Sequence, residues 1–416
     1  MKESRVLEYK AEITNTFLKT VSAYANFGTG VIKFGIRNDG TVCGTDEPEK
    51  ECLTIENKIN DAISPRPDFT LSINRRTNVI TLTVSEGKYK PYLYKGKAYR
   101  RNDTATAEIG QLELKRLILD GANLYYEELV CNIQSLKFSY LEKVLIKKLG
   151  ISALTDDILR TFGFFTEEQK FNIAAGLFAD NNSYSGMDVV RFGNTINEIM
   201  ERETFCQISI LEQYDQAVEM FKRYYQYEKI EGTERVGKEL IPEAAFREAI
   251  ANAIVHRHWD INSHIRVSMY LDRIEIASPG GLPKEISKED YLHGNISCLR
   301  NPIIGNIFFR LNYTEMFGTG IRRIFEFYEG SVQKPSFDVS DNSVVVILPV
   351  LTQRYNTSAD GQAVIELLER GIQLSSREIA DKLGWSKDKA VRRLNELQKA
   401  GLIKVAGNGR GRKYGN

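Results

Sequence analysis

The sequence predicts a multi-domain α+β protein, and three observations support this class: its length, its average composition and its mixture of helical and strand-like patterns. A chain of 416 residues is expected to hold two to four domains, each able to bury its own core. Hydrophobic residues make up 42% and charged residues 27%, as in ordinary globular proteins. The longest strongly apolar run, Val344–Leu348, is far shorter than the roughly 20 residues of a membrane helix. No membrane partner is therefore expected.

The N-terminus and the cysteines favour a cytoplasmic protein. The segment Met1–Arg5 is polar and no apolar stretch follows it, so a secretory signal is not predicted. The five cysteines are scattered and form no CxxC pair. This pattern predicts reduced thiols and favours neither a disulfide framework nor a zinc site.

Positive charge is concentrated near the C-terminal end. Between Ser386 and Lys413 nine basic residues stand against two acidic ones, a net charge of +7, whereas the whole chain carries +1 and the remainder therefore −6. A localised basic segment indicates a site for a polyanion. A solvated surface is the simpler explanation for a charge run alone.

The basic segment lies within a pattern of three helices and a strand. After a polar linker predicted at residues 352–360, helical spacing covers Gly361–Arg370, and two further helices follow serine caps at Ser375–Ser376 and Ser386. Leu402–Val405 has the composition of a strand and leads to a tip rich in glycine and arginine. This order predicts a winged helix-turn-helix over residues 361–416.

In that arrangement the third helix would enter the major groove of DNA and the basic tip would contact phosphates or the minor groove. The segment Arg377–Ser386 closely resembles the helix-turn-helix of bacterial winged-helix regulators. Winged helices also serve as protein–protein modules, which leaves that alternative open. The predicted DNA-binding residues are Lys387, Lys389, Arg392, Arg393, Arg410, Arg412 and Lys413.

A second set of motifs begins in the predicted helix Pro242–Trp259. Glu248 and Asn252 lie four residues apart and so share one helix face. A carboxylate that orients water and an amide that holds Mg²⁺ would suit nucleotide chemistry, although an exposed polar pair is the commoner reason for this spacing. The nearby His256 and His258 are two residues apart, point to different faces, and are expected to be structural.

Two predicted strands, Ile265–Tyr270 and Arg273–Ile276, follow this helix, and glycine-rich motifs come after them. The series resembles the divergent GHKL ATPase-like domain (the fold of gyrase, histidine kinases and heat-shock chaperones) that is attached to many bacterial transcription regulators. The resemblance covers roughly residues 180–350 and implies an α/β sandwich with ATP and Mg²⁺ as cofactors. It implies that Glu248 activates water and that Asn252 is the magnesium ligand. The nucleotide-binding residues it implies are Asn252, Ser278, Gly280, Gly281, Arg300, Asn301, Gly318 and Gly320.

The chain departs from this family at one position. Ser278 stands where the family usually has an aspartate that contacts the adenine amino group, and losing that carboxylate removes a specificity contact. A related fold that does not hydrolyse ATP therefore remains an alternative.

The N-terminal residues 1–122 predict a third, mixed α/β domain. Phe17–Asn26 has the pattern of an amphipathic helix, Val31–Ile36 that of a buried strand, and Asn38–Gly40 that of a turn. The motifs at Glu3–Lys10, Ala23–Gly30, Phe34–Ile36 and Tyr99–Arg100 closely resemble the Schlafen-type Alba_2 domain, which implies nucleic-acid binding. This family often combines that domain with the ATPase-like region and a winged helix.

Two sites are candidates in this domain. Cations interleaved with Tyr89, Tyr92, Tyr94 and Tyr99 would suit phosphates and stacked bases, and a lysine-edged hairpin is the alternative. Some Schlafen relatives are metal-dependent ribonucleases that use two glutamates and an aspartate, for which Glu3, Glu8 and Asp39 are the candidates here. The predicted nucleic-acid patch consists of Lys88, Lys90, Lys95, Lys97, Arg100 and Arg101.

The leading hypothesis is a DNA-binding transcriptional regulator whose binding could respond to ATP. A symmetric homodimer on double-stranded DNA is expected, because half-sites match two-fold symmetry. The alternatives are a Schlafen-like metal-dependent ribonuclease acting on RNA, in defence for example, and a DNA-coupled ATPase. Residues 123–351 are predicted to hold a helical connector and the ATPase-like domain. Residues 124–239 are expected to be mixed and mainly helical, and no chemistry is assigned to them.

Overall fold

The computed structural model describes residues 2–231, 234–283, 286–293, 298–314, 319–351, 358–368, 372–399, 402–407 and 412–415. The chain divides into two compact units, Met1–Val130 with Thr166–Ile173, and Cys131–Phe165 with Ala174–Asn416. Both units mix helices and strands, which confirms the predicted multi-domain α+β class. Over the described ranges, no helix is long and apolar enough to cross a membrane.

A four-stranded sheet and one buried helix form the first unit's core. Strand order is β1-β2-β5-β4, with β1 parallel to β2 and the other pairs antiparallel. Alternate residues of β2 are buried, and α1 packs there, with Phe17 edge-on to Phe34 at 5.3 Å. The elements are β1 (Leu7–Lys10), α1 (Phe17–Phe27), β2 (Gly30–Phe34), α2 (Pro48–Ala62), β3 (Ile63–Ser64), β4 (Phe69–Asn74), β5 (Val79–Val84), β6 (Leu93–Tyr94), β7 (Tyr99–Asn102), β8 (Ala105–Glu108), α3 (Gln111–Gly121) and a 3-10 turn at Tyr126–Glu128. The predicted helix at Phe17 and the strand at Val31 are confirmed.

A buried arginine ties the beginning of the chain to this core. Arg101, on β7, is 3% exposed, and its guanidinium donates to the carbonyls of Ser4 and Leu7 at 3.1 and 3.4 Å. The same guanidinium lies 3.3 Å from the carboxylate of Glu8, which is also buried. Since charge-assisted hydrogen bonds are the stronger kind, Arg101 fixes β1 against β7.

The second unit is organised around a six-stranded sheet and helix α8. Strand order is β10-β9-β13-β14-β16-β15, and only the β9–β13 pair is parallel. Helix α8 contacts β14 and β16 on the sheet, and also α7, α10 and α11. The elements are α4 (Ser139–Leu149), α5 (Asp156–Thr161), α6 (Ile173–Phe178), β9 (Met187–Phe192), β10 (Ile199–Phe205), α7 (Ile210–Tyr225), β11 (Gln226–Glu231), β12 (Glu234–Glu239), α8 (Glu243–Val255), β13 (Ile265–Met269), β14 (Arg273–Pro279), α9 (Lys288–His293), α10 (Pro302–Arg310), α11 (Gly320–Glu326), β15 (Ser336–Val339) and β16 (Ser343–Pro349).

Residues 124–239 are mixed and mainly helical, as predicted, because helices α4 to α7 hold more of the segment than its strands do. This segment supplies β9 and β10 to the sheet, and β11 and β12 form a separate two-stranded ribbon. The outer strand β10 reads Ile-Met-Glu-Arg-Glu-Thr-Phe, and these charges hide the strand pattern because they lie at an open sheet edge.

The C-terminal residues form three helices and a short antiparallel pair of strands, α12 (Ala359–Leu368), α13 (Ser376–Leu383), α14 (Lys387–Lys399), β17 (Lys404–Ala406) and β18 (Lys413–Gly415). Val364, Ile379, Leu394 and Leu397 are fully buried or nearly so and form their common core. Ser375 and Glu378 form a capping box at the start of α13, which stabilises the helix where the sequence predicts it.

Two boundaries differ from prediction. The linker predicted at 352–360 ends earlier, because Ala359 and Asp360 already belong to α12, and residues 352–357 lie outside the described part of the chain. The predicted strand at Leu402 begins at Lys404 and pairs with a strand, β18, that the arginine-rich composition of the tip conceals.

Replacing Arg101 by Met is expected to lower the local free energy of unfolding of β1 by about 1–3 kcal/mol, because the Ser4 and Leu7 carbonyls lose their donor and Glu8 loses one of its two cations, Lys10 remaining at 3.0 Å. Hydrogen–deuterium exchange of the β1 and β2 amides in the full chain measures this change. The matched variant Arg5→Met, at an exposed position, should alter exchange little.

The combined variant Arg101→Met/Glu8→Gln should recover part of the loss, since no buried carboxylate then remains charged. Losses that simply add in the combined variant would show that Arg101 and Glu8 do not stabilise each other.

Candidate functional site

An open cleft of about 890 Å³, its mouth included, lies beside α8 in the second unit. Ile276, Val344 and Val346 of the sheet form an apolar wall, and Pro283 and Ile286 contribute from a neighbouring loop. A concave, mainly apolar cleft with a few polar groups suits a small ligand or cofactor. The predicted nucleotide-binding residues that line it are Asn252, Ser278, Gly280, Gly281, Arg300 and Gly320.

Glu248 lies directly behind Asn252, as their spacing predicts. Its side chain is buried, and its Oε1 accepts hydrogen bonds from Asn252 Nδ2 at 3.2 Å and Thr314 Oγ1 at 3.1 Å. Its Oε2 lies 3.8 Å from the guanidinium of Arg323. The sequence does not predict a role for Thr314 or Arg323. Arg323 follows the glycine motif at Gly320, but only the fold brings these two side chains to Glu248.

The predicted glycines allow close approach of the cleft walls. A Cβ atom at Gly320 would lie 2.5 Å from Glu248 Oε1 and 3.0 Å from Asn252 Nδ2, so glycine is the residue that fits there. Gly280 has φ +104°, and its Cβ would meet the His258 ring at 2.2 Å. The remaining predicted glycine, Gly318, lies outside the described residues.

Ser278 and Asn301 hold the end of α8. The Ser278 hydroxyl donates to the carbonyl of Ala253 at 2.8 Å. The Asn301 amide donates to the carbonyls of Val255 and Arg257 at 2.7 and 2.9 Å, and its side chain is almost completely buried. Asn301 is not among the residues that line the cleft, so its predicted nucleotide contact is replaced by a structural role.

Arg300 lines the cleft, and its guanidinium also binds two backbone carbonyls. Its Nη1 donates to the carbonyl of His256 at 2.6 Å and its Nη2 to that of Gly281 at 2.8 Å. His256, expected to be structural, also lines the cleft. Burial, followed by the charge of Arg300, lowers the pKa of His256 to about 4, so its imidazole is neutral at pH 7.

The predicted basic patch of the first unit is largely neutralised by neighbouring carboxylates. Lys90 contacts Glu86 and Asp120 at 2.6 and 2.8 Å, and Arg101 is the buried arginine described above. The remaining pairs are Lys97 with Glu108 at 2.8 Å and Arg100 with Glu113 at 2.9 Å. Lys88 and Lys95 are exposed.

The tyrosines of this patch do not form a stacking surface. Tyr92, Tyr94 and Tyr99 are 2%, 5% and 7% exposed and belong to the core, whereas Tyr89 is 76% exposed. Tyrosine repeats in a hairpin look alike in sequence whether the rings point inward or outward, and the β-strand register decides this.

The predicted carboxylate trio is not assembled. Glu3 and Glu8 approach the same cation, Arg101, at 3.9 and 3.3 Å. Asp39 lies in the predicted exposed turn, where its carboxylate accepts a hydrogen bond from the Thr41 amide at 2.8 Å. This bond lowers the pKa of Asp39. Within the described ranges no three His, Cys, Asp or Glu side chains are placed to hold a metal ion.

The cations of α14 fall into two groups. Lys389 and Arg393 contact the Asp360 carboxylate of α12 at 3.0 and 3.5 Å, and the hydrogen bond from Lys389 lowers the pKa of Asp360. Lys387 and Arg392 are exposed. The predicted contacts therefore divide into an inner pair, Lys389 and Arg393, and an outer pair, Lys387 and Arg392.

The predicted basic tip is only partly described. Lys413 is exposed, and Arg412 donates to the Gln398 side chain at 2.6 Å. Arg410 lies outside the described residues.

Comparisons with known proteins bear on both units. Residues 262–348 match the family described as the putative ATP-dependent DNA helicase recG C-terminal region, and residues 3–109 match the Schlafen, AlbA_2 family. No curated protein matches the chain. The DIP2311 protein from Corynebacterium diphtheriae shares the fold at 18% identity, with a TM-score of 0.50 over 99% of this chain and 92% of that one. The chain thus carries a Schlafen AlbA_2 domain at its N-terminus and an ATPase-like domain in its second unit.

Proposed function

We propose that the chain is a DNA-binding transcriptional regulator in which the ATPase-like domain binds ATP with Mg²⁺ and the C-terminal three-helix module, a winged helix, binds double-stranded DNA. The proposed domains are residues 1–122, 123–351 and 361–416, with a homodimer as the active form. The observation that carries the proposal is the cleft, which gathers residues from separate motifs beside Glu248. The two family matches are compatible with a DNA-related regulator or ATPase.

The cleft has the features that a nucleotide needs. Its apolar wall suits a purine ring, and the neutral imidazole of His256 offers a hydrogen-bonding group without charge. The Asn252 side chain lines the cleft and its Nδ2 is bonded to Glu248, so its Oδ1 would be the oxygen available to Mg²⁺. The phosphates of bound ATP would supply the negative charge that attracts Mg²⁺. The Ser278 hydroxyl donates its hydrogen to the Ala253 carbonyl, and its oxygen could still accept a hydrogen bond from the adenine amino group.

Hydrolysis is a separate question from binding. Glu248 is positioned by Thr314 and Asn252 and is buried, which suits a base that orients water. The guanidinium of Arg323, 3.8 Å away, places a positive charge beside this carboxylate.

A ribonuclease is less well supported. The guanidinium of Arg101 already neutralises the Glu8 carboxylate and approaches Glu3, and Asp39 serves a turn. A divalent cation would have to compete with a buried, hydrogen-bonded arginine.

Asn252→Ala is expected to raise the dissociation constant for ATP–Mg²⁺ at least tenfold, because the amide oxygen that would face the metal is removed. Isothermal titration calorimetry on the full chain measures the constant. Asn57→Ala, an exposed asparagine on α2, is the matched control and should bind as the unaltered chain does. Absence of ATP binding by the unaltered chain would contradict the nucleotide proposal.

Glu248→Gln should keep binding ATP but abolish any ATP turnover, and unchanged turnover would exclude Glu248 as the base.

The double variant Lys387→Ala/Arg392→Ala is expected to weaken binding to duplex DNA and to reduce the slope of log K against log salt by about 2, the loss of two phosphate contacts. Fluorescence anisotropy over a salt series measures both quantities. The control Lys389→Ala/Arg393→Ala removes the same charge, but from side chains that face Asp360, and its slope should change less.

Equal losses in the two double variants would mean that α14 does not present its outer pair to DNA. If the unaltered chain showed no salt-dependent DNA binding, the regulator proposal would fail. Thermal melts of each variant separate loss of binding from loss of folding.

A further inference from the structure

The ribbon of β11 and β12 stands apart from the sheets of the second unit. The two strands pair along six residues each, and no third described strand joins them. All of β11 from Tyr227 to Ile230 is exposed, and Ile230 is 73% exposed. An isolated two-stranded hairpin is at best marginally stable in water. This indicates that another surface covers the ribbon.

Large apolar side chains are also exposed where the ribbon joins the unit. Ile196 lies in the β9–β10 turn, and Ile199 and Met200 begin β10. Leu271 lies in the β13–β14 turn. These four side chains are 68%, 58%, 60% and 62% exposed in that order. They form what is called here the apolar base.

Contacts at the end of α7 place the ribbon next to this base. Tyr225, the residue before β11, donates its hydroxyl to the carbonyl of Tyr270 at 2.6 Å, and Tyr270 stacks on Phe192 at 5.1 Å. Tyr224 donates its hydroxyl to the Glu201 carboxylate on β10. The two turns and the start of the ribbon therefore lie at the same end of the sheet.

The exposed apolar side chains provide a substantial part of the area that a dimer interface buries. Tyr227 and Ile230 of the ribbon and the four residues of the base make six large side chains, at roughly 100 Å² each when fully buried. Because these side chains are 48–73% exposed, they can still bury on the order of 400 Å², about half of the roughly 800 Å² per partner in a standard interface. Exposed apolar clusters of this kind mark protein–protein contacts.

The charges of the ribbon favour a protein partner over a nucleic acid. Acidic and basic residues alternate along both strands, with Lys229, Arg235 and Lys238 against four glutamates, Glu228, Glu231, Glu234 and Glu239. A surface without net positive charge lacks the attraction that phosphate backbones require.

The outer edge of β12 is complementary to itself. Antiparallel pairing of two β12 strands about a two-fold axis at Val236 would set Val236 opposite its own copy. The same register would set Glu234 of each chain opposite Lys238 of the other, and opposite charges stabilise such cross-strand pairs. A two-fold interface needs this kind of self-complementary surface.

We propose that a second copy of the chain binds here, by pairing of the two β12 edges at Val236 and by burial of the apolar base. The ribbon then becomes part of a four-stranded sheet, which is stable where two strands are not. This inference rests on the homodimer proposed above and gives it a surface. It depends neither on ATP nor on DNA binding, so its failure would leave the tests of the cleft and of α14 unaffected.

Charge reversal tests the register. The variants Glu234→Lys and Lys238→Glu each place like charges opposite one another, and each should raise the dimer dissociation constant at least tenfold in sedimentation velocity of the full chain. The combined variant Glu234→Lys/Lys238→Glu restores both pairs and should return to within about threefold of the unaltered chain. Glu228→Lys, on β11 and away from the free edge of β12, is the control and should dimerise normally.

A chain that stays monomeric up to about 100 µM would overturn the proposal, and so would a combined variant that stays as weak as the single ones. Hydrogen–deuterium exchange of the unaltered chain gives a second measurement. The β12 amides should be protected at high protein concentration and lose protection on dilution. A dimer whose β12 exchange is independent of concentration would show that it forms through another surface.

Discussion

The carbonyl groups at the C-terminal end of α8 accept hydrogen bonds from side chains that lie far along the chain, and the geometry of the cleft depends on these bonds. A helix leaves its last carbonyls without intrahelical partners. Here Ser278, Arg300 and Asn301 supply the donors, at 2.6 to 2.9 Å. The end of α8 is thus fixed to β14 and to the beginning of α10. Because α8 also carries Glu248 and Asn252, the same bonds set the position of both side chains at the cleft.

Buried guanidinium groups serve a similar purpose in both units. Arg257, 1% exposed, donates to the carbonyls of Ser185, Gly186 and Ser263 and lies 4.2 Å from the Trp259 ring. Burial lowers the pKa of Arg257 to about 10, so it remains charged at pH 7. Arg101 makes the corresponding contacts to β1 in the first unit. In each unit one planar cation with several donors satisfies carbonyls of irregular backbone that would otherwise be buried without partners.

The sequence predicts helices and cleft residues well where a local pattern determines them. Periodicity and caps locate α1, α8, α13 and α14, and the spacing of Glu248 and Asn252 puts both on one face. Partners that come from distant segments are not predictable in this way. Asp360 forms ion pairs with Lys389 and Arg393, and Arg101 contacts both of the predicted catalytic glutamates. The type of residue sets the chemistry of a side chain. Strand register and helix packing decide whether that side chain faces solvent, a ligand or another side chain.

The ribbon and the cleft are joined through the first turn of α8. Gln226, at the start of β11, donates its amide to the Glu243 carboxylate at 2.7 Å, and the Glu243 amide donates to Glu239, at the end of β12, at 3.0 Å. Gln226 and Glu239, at the two ends of the ribbon that meet α7 and α8, are therefore hydrogen-bonded to the helix that presents Asn252 to the cleft. A partner that orders the ribbon acts on the beginning of α8, and a ligand in the cleft acts on its last turns. If the two events favour the same position of the helix, each strengthens the other by the same free energy, because linkage between binding events is reciprocal. Such coupling between the ribbon and the cleft would need no other element, because β12 leads directly into α8.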